Sequence, residues 1–390
     1  MSRLTAFFLT LALSASTLAF ADSGGTPVPK APAIDARSYI LVDFQSGRVL
    51  AEQLADERVE PASITKVMTV YVAFDQIRQG RIHLDDNVAI SERAWRQGID
   101  STESRMFLEV GQSVKLADLL RGIIIQSGND AAIAVAEHIG GTEEAFAEIM
   151  NHYAQQLGMK STRYHDASGM PDPEHYTTAR DITILSRALI RNFPELYKIF
   201  GEREYTWQPP RSKPIRQFNR NGLLTRDSTV DGIKTGHTQS AGYCLATSAK
   251  RNDMRLISVV MGAPSIKARE AASAALLNYG YTFYETVKMR TGGQQVMKPR
   301  VYKSEAEFAD VGVARELFLT VRRGEAGKLQ TITRVDEPLV APLAAGAKVG
   351  EMTIKSGNET VASVPLVTLK AVPEGGLWTR AVDSVALWLH

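Results

Sequence analysis

What this sequence lacks narrows it first. Cysteine occurs once in 390 residues, at Cys244. One thiol makes no intrachain disulfide and no cysteine-rich zinc site. Cys244 lies in an apolar stretch and reads as a buried, inert thiol. The seven histidines are scattered and form no HExxH pair, so no metal and no other cofactor is expected. Charge of one sign is also missing. The formal balance is +2, which excludes a strongly basic nucleic-acid binder. Internal repeats are absent. The most apolar segments, one at each terminus, are both short of the ~20 residues a membrane-spanning helix needs.

The apolar content of 44% and charged content of 23% are those of a soluble globular protein, and the length suits two or three domains. Arg3, the apolar run Leu4 to Leu13 and Ala19-Phe20-Ala21 form an export signal over residues 1–21. The mature chain then starts near Asp22, with a net charge of +1 because Arg3 is the only charge removed. A Gly/Pro-rich leader follows, to Pro32. Ser38 to Asp43 and Arg48 to Ala51 read as two strands joined through Gln45-Ser46-Gly47. Helices are expected at Leu116 to Ile125, Ala131 to Ile139, Glu143 to Leu157 and Thr178 to Arg191, the last with Thr178 as N-cap. The stretch Gln97 to Arg105 is polar and reads as an exposed loop. Asp231 to His237, Gly242 to Thr247 and Arg255 to Met261 read as strands, and Lys267 to Val287 as a closing helix. Strands, a helical middle, strands and a last helix imply an α/β (α+β) unit, one sheet covered by helices. After about residue 290 short strand-like segments alternate with turn residues, which predicts a small all-β domain. Leu377 to His390 has Leu377, Trp378, Ala381, Val382, Val385, Trp388 and Leu389 on one helical face. Thr379, Arg380, Asp383 and Ser384 fall on the other, a pattern suited to a helix lying on a membrane surface.

The chemistry centres on Pro61-Ala62-Ser63-Ile64-Thr65-Lys66. Ser63 and Lys66 stand three residues apart on an expected helix and share a face. A hydroxyl and an amine so placed can act as nucleophile and base. A free lysine has a pKa of about 10.4, so a working amine near neutrality needs a downward shift of about 3 units, or about 4 kcal/mol. Burial and a second cation both push that way. An SxxK tetrad alone is weak, because Ser and Lys are common. Two further elements follow it in order, Ser127-Gly128-Asn129 and Lys234-Thr235-Gly236. SxxK and KTG occur once each; SGN recurs at Ser356-Gly357-Asn358 in the β-rich tail, where it reads as a turn.

This ordered triplet is the pattern of the penicillin-recognising serine enzymes. With Arg121-Gly122-Ile123, Asp130-Ala131, Arg220-Asn221-Gly222-Leu223-Leu224, Asp231-Gly232-Ile233 and His237-Thr238, the chain resembles the D-alanyl-D-alanine carboxypeptidases of the type-5 low-molecular-mass penicillin-binding proteins. The resemblance covers nearly the whole mature chain. It implies a β-lactamase/transpeptidase-like domain with an antiparallel sheet over residues 33–288, an all-β domain over 289–374 and an amphipathic anchor helix over 375–390. It also implies roles. Ser63 is the nucleophile, Lys66 its base and Ser127 a proton relay to the leaving amine. Asn129 binds the substrate amide, and Lys234 lines the cleft as a second cation. Gly236 completes the third motif, and the N–H groups of Ser63 and His237 form the oxyanion hole. Thr235, Arg269 and Arg220 are candidates for the substrate carboxylate, since a guanidinium suits a planar carboxylate. The implied reaction removes the terminal D-alanine from peptidoglycan stem pentapeptides through an acyl-enzyme on Ser63, which β-lactams also acylate. The implied place is the periplasm, attached peripherally to the inner membrane through residues 377–390.

Rival readings share the chemistry. A class A β-lactamase needs an E-x-x-L-N glutamate between the second and third motifs, and none is present. A transpeptidase or D,D-endopeptidase differs only in the acceptor or the bond. A slow, mainly structural penicillin-binding scaffold is the reading from another class, which the intact Ser63 and Lys66 oppose. Two stretches that border the cleft in the family, Trp95 to Glu103 and His165 to Gly169, depart from its pattern.

Overall fold

The computed structural model describes residues 28–97, 103–209 and 212–389. The expected export signal and His390 lie outside these, as does most of the polar stretch between Gln97 and Glu103.

The strands of the first unit form one five-stranded antiparallel sheet. Its order is Val49–Gln53, Ser38–Asp43, Met254–Ala263, Gly242–Arg251 and Val230–Thr238. Side chains alternate along a strand, so one sheet serves two cores. Ile40, Val42, Ile257, Val259 and Met261 face the helical middle, under helix Ala179–Asn192, and share one core with Val67, Val70 and Phe74 of helix Lys66–Arg78. Tyr39, Leu41, Leu256 and Val260 face the opposite way and pack on Leu276 and Leu277 of helix Ile266–Phe283. Burying such a side chain fully contributes about 1.5–3 kcal/mol. Both faces covered is what the near-continuous apolar run Leu256 to Met261 required.

The expected closing helix is shorter than its sequence pattern. It stops at Phe283, and Tyr284–Arg290 is a strand paired with Leu317–Arg322. Tyr281, Tyr284 and Val287 keep helical spacing across the break, although aromatic and β-branched residues that favour strands crowd the segment after Gly280. The strand is drawn away by tertiary bonds. Thr286 Oγ1 donates to the buried Asp43 carboxylate at 2.6 Å, and Arg48 Nη1 donates to the Thr320 carbonyl at 2.6 Å. The expected helix 116–125 also changes form: Leu116–Arg121 is α-helical and Gly122–Gln126 is a π turn.

The second unit carries an antiparallel five-stranded sheet ordered Gln295–Met297, Val311–Gly312, Glu359–Thr368, Lys348–Ser356 and Leu329–Val335. Its core holds Val311, Met352, Ile354 and Leu366. Helix Leu377–Trp388 follows. Asp383, expected on its outward polar face, is buried and accepts the N–H of Lys303. The tryptophans point away, with Trp378 82% and Trp388 85% exposed. Among the described residues no helix is long and apolar enough to cross a membrane.

Candidate active site

The site begins where a 3-10 turn, Ala62–Thr65, runs into helix Lys66–Arg78. Three residues per turn bring positions i and i+3 into line. Lys66 Nζ accordingly lies 2.9 Å from Ser63 Oγ. The amine is fully buried and donates to Asn129 Oδ1 at 2.7 Å and to the Ser168 carbonyl at 2.7 Å. A neutral amine has two N–H groups and one lone pair. With both N–H groups taken by these acceptors, the lone pair faces the Ser63 hydroxyl. Burial pushes the Lys66 pKa from 10.5 down to about 7. Asp166, Glu103 and Asp130 oppose the fall, and the Arg220 guanidinium adds to it. Burial therefore outweighs the second cation that the sequence argument asked of Lys234.

Ser127 reaches the cleft from the other side. It ends the π turn with φ 64°, in the left-handed region that non-glycine residues rarely enter. Its Oγ accepts from Lys234 Nζ at 2.9 Å, and Lys234 also donates to the Thr235 carbonyl at 3.0 Å. Burial first, then the charges of Lys66, Arg220 and Arg269, hold Lys234 well below an ordinary lysine. Asn129 opens helix Asn129–Gly140, so its amide is fixed at a helix start, between Lys66 and the Glu103 carboxylate (Nδ2 to Oε2, 2.6 Å).

The third motif lies on the edge strand Val230–Thr238, which leaves alternate N–H groups free of sheet pairing. Gly236 is needed for close approach. A Cβ there would lie 3.0 Å from the Pro61 carbonyl and 3.2 Å from Ile64 N, at the root of Ser63. Thr235 is buried, and the His237 ring is exposed against Tyr243, 4.1 Å between centroids. Arg269 is buried beside this strand. Its Nη1 donates to the carbonyls of Gly236 (3.1 Å) and Cys244 (3.4 Å), a cross-strand pair. Its Nε has no partner among the described residues. Arg220 Nε donates to the Gln126 carbonyl at 3.1 Å, next to Ser127. Among the described residues neither arginine is in an ion pair. Ser63, Lys66, Asn129, Ser127 and Lys234 thus form two short contact chains. Arg220 and Arg269 join through backbone carbonyls.

Sequence reasoning missed the groups that hold these in place. Asp130 is fully buried, and its carboxylate accepts the N–H groups of Met106 (2.8 Å), Leu108 (3.1 Å) and Ala131 (2.9 Å). Burial raises its pKa. The loop wrapped on it presents Glu103 to Asn129, so part of the expected exposed loop is cleft wall. Gly169 runs against the turn that carries Ser63 with φ 90°, where a Cβ would meet the Ala62 carbonyl at 1.8 Å. The only sequence signal was that the stretches around Glu103 and Gly169 depart from the family pattern.

A family model described as D-alanyl-D-alanine carboxypeptidase matches residues 26–265, and one described as penicillin-binding protein 5, C-terminal domain, matches 284–374. The D-alanyl-D-alanine carboxypeptidase DacA of Escherichia coli K12 is 41% identical over 369 residues, 94% of this chain and 90% of that one. The crystal structure of penicillin-binding protein 5 from Haemophilus influenzae superposes with a TM-score of 0.84 at 41% identity, covering 90% of this chain and all of that one. The Streptomyces K15 DD-transpeptidase covers 65% of this chain with a TM-score of 0.61 at 29% identity.

Proposed function

The chain belongs to the D-alanyl-D-alanine carboxypeptidase family, and we propose that Ser63 is its nucleophile and Lys66 the base that activates it. The protein is a serine D-Ala-D-Ala carboxypeptidase, a penicillin-binding hydrolase of cell-wall peptidoglycan. One observation carries the residue assignment: both N–H groups of the buried Lys66 amine have acceptors, and its remaining valence faces Ser63 Oγ at 2.9 Å.

The neutral amine takes the Ser63 proton as the oxygen attacks the carbonyl of the penultimate D-alanine. The N–H groups of Ser63 and His237 receive the oxyanion, each worth about 3 kcal/mol in the transition state. Lys234 donates to Ser127 Oγ, which leaves the Ser127 proton free for the departing amine of D-alanine. Asn129 binds the substrate amide. Thr235, Arg269 and Arg220 meet the terminal carboxylate, a role favoured by the unpaired Arg269 Nε and the excess of positive charge. Water then resolves the acyl-enzyme. A β-lactam enters the same path at Ser63. The likeness to a transpeptidase supports a second reading, in which an amine rather than water takes the acyl group.

The proposal extends to place. The all-β unit carries helix Leu377–Trp388 with its apolar face outward, which suits the outer surface of the inner membrane in the periplasm, after cleavage near Asp22. The peptidase unit spans residues 33–288 and the all-β unit 289–374 in this reading, which the match of the second family model to 284–374 supports.

The deciding measurement is D-alanine release from a stem pentapeptide by protein spanning 22–374, beside Ser63→Ala. Release that depends on Ser63 is the expected result. Equal release by Ser63→Ala refutes the nucleophile. Penicillin labelling without release moves the reading to an endopeptidase or a scaffold.

A further inference from the structure

The segment from His165 to His175 borders Lys66 and, apart from the Ser168 carbonyl, supplies no group to the steps above. Its internal bonding is nonetheless complete. Asp166 Oδ1 accepts the N–H groups of Ser168 and Gly169, each at 2.6 Å, and the Ser168 hydroxyl at 3.0 Å. Oδ2 accepts the N–H of Met170 at 3.1 Å and faces His175 Nδ1 at 3.2 Å. The N–H of His165 also faces Nδ1, at 3.5 Å; the contact with Asp166 is the shorter, and a carboxylate only accepts, so in that contact Nδ1 donates. On the other side of the ring Nε2 pairs with Thr65 Oγ1, 2.9 Å away. Thr65 is the residue before Lys66. His175 and Thr65 are both buried, and the Tyr164 ring stands edge-on to the imidazole at 5.7 Å.

We propose that His175 is a positioning residue for Lys66: with Asp166 and Thr65 it clamps the 165–170 turn to the nucleophile helix, so that the Ser168 carbonyl takes one N–H of the Lys66 amine. The inference rests on Lys66 being the base. A base whose N–H groups are fixed has a fixed lone pair, and Ser168 supplies one of the two fixings. Without the clamp the amine can turn away from Ser63 Oγ. Misplacement of a reacting group by about 1 Å can cost on the order of 10²-fold in rate. His175 itself touches no reacting atom, so substrate binding should be little affected.

The same turn carries a charge. Burial pushes the Asp166 carboxyl up, but His175 and the turn N–H groups outweigh it and keep it ionised. The groups acting on Lys66 are Asp166, Glu103 and Asp130, which hold its pKa up, and Arg220, which lowers it; Lys234 shares the cleft and responds to its charge. Neutralising Asp166 therefore moves the acid limb of acylation to lower pH.

The test uses the full mature chain. It reads Ser63 acylation by a fluorescent penicillin between about pH 5 and 8, kcat and KM for D-alanine release, and thermal unfolding. His175→Ala should acylate about 10- to 100-fold more slowly with KM within about 2-fold. His175→Gln, whose amide can donate to Asp166 and accept from Thr65, should recover most of the rate. Asp166→Asn should lower the midpoint of the acid limb. Thr65→Val, nearly the same shape, should slow acylation even where His175→Ala fails to fold. Native rates in both His175→Ala and Thr65→Val overturn the inference. So does a loss that follows the folded fraction while the limb of Asp166→Asn stays in place. Native protein that is not acylated at Ser63 overturns the base assignment and this inference together; native acylation with unchanged variants overturns this inference alone.

Discussion

The sharpest consequence of the site is a pH profile. The Lys66 pKa falls from 10.5 to about 7, led by burial of the amine. At pH 7 about half of the buried amine is then neutral, where an ordinary lysine would be neutral in about one molecule in 3,000. The fall is worth about 5 kcal/mol in base availability. Acylation of Ser63 by a penicillin should therefore rise through an acid limb centred near pH 7. Below it the rate should drop about tenfold per pH unit. Arg220→Ala removes a cation that lowers Lys66, so its limb should move to higher pH. The stability sign is opposite to that of a paired lysine. The unfolded chain keeps its proton up to 10.5 and the folded chain loses it near 7, so the contribution of this group rises with pH across that window. Below about 7 both states are protonated and the full penalty of burying a charge remains. Stopped-flow labelling between about pH 5 and 9 reads the limb directly. A rate that is flat over that range, or that keeps climbing towards 10, refutes burial as the activating device.

Three further outcomes follow from named contacts. Asp130→Asn places an amide N–H against backbone donors that the carboxylate now satisfies, and should cost about 1–3 kcal/mol; an unchanged thermal midpoint would count against it. Gly169→Ala drives a Cβ into the Ala62 carbonyl at 1.8 Å and should slow penicillin acylation by on the order of 10²-fold; native-rate labelling would refute the tight approach. A chain ending at Glu374 should leave the membrane pellet on sedimentation, and full retention would remove the anchor from helix Leu377–Trp388.

The sequence made legible whatever is local or periodic. Ser63 and Lys66 meet because they are three residues apart on one turn. Burial of the sheet on both faces was readable in the apolar runs Tyr39 to Val42 and Leu256 to Met261. Ends were harder. Tyr281 to Val287 is rich in aromatic and β-branched residues yet keeps helical spacing, so the stop at Phe283 is decided by Asp43, which bonds Thr286, and by pairing with Leu317–Arg322, both far away in sequence. The supports of the site were illegible for the same reason. The Ser168 carbonyl reaches Lys66 across 102 residues, and His175 reaches Thr65 across 110. Such contacts join residues more than a hundred positions apart, one of them through a backbone carbonyl, and leave no local pattern of residue types to read.

The repeated Ser-Gly-Asn shows where the information for a site resides. At 356–358 the tripeptide closes a hairpin between Lys348–Ser356 and Glu359–Thr368. There Gly357 takes the positive φ, 59°, as a glycine does at no steric cost. At 127–129 the glycine does not take it. Ser127 does, with φ 64°, and Gly128 has φ −57°. The same three residues therefore adopt different backbones. The difference comes from their neighbours. A π turn delivers the chain to Ser127, the buried Asp130 holds the facing loop, and a Cβ on Gly128 would lie 2.8 Å from the Asp130 carboxylate. Forcing the serine rather than the glycine into the left-handed region costs about 1–3 kcal/mol, which the surrounding contacts must supply. In return the Ser127 hydroxyl meets Lys234 at 2.9 Å. A tripeptide motif is thus a necessary label, and the strain held by its neighbours is what turns that label into a site.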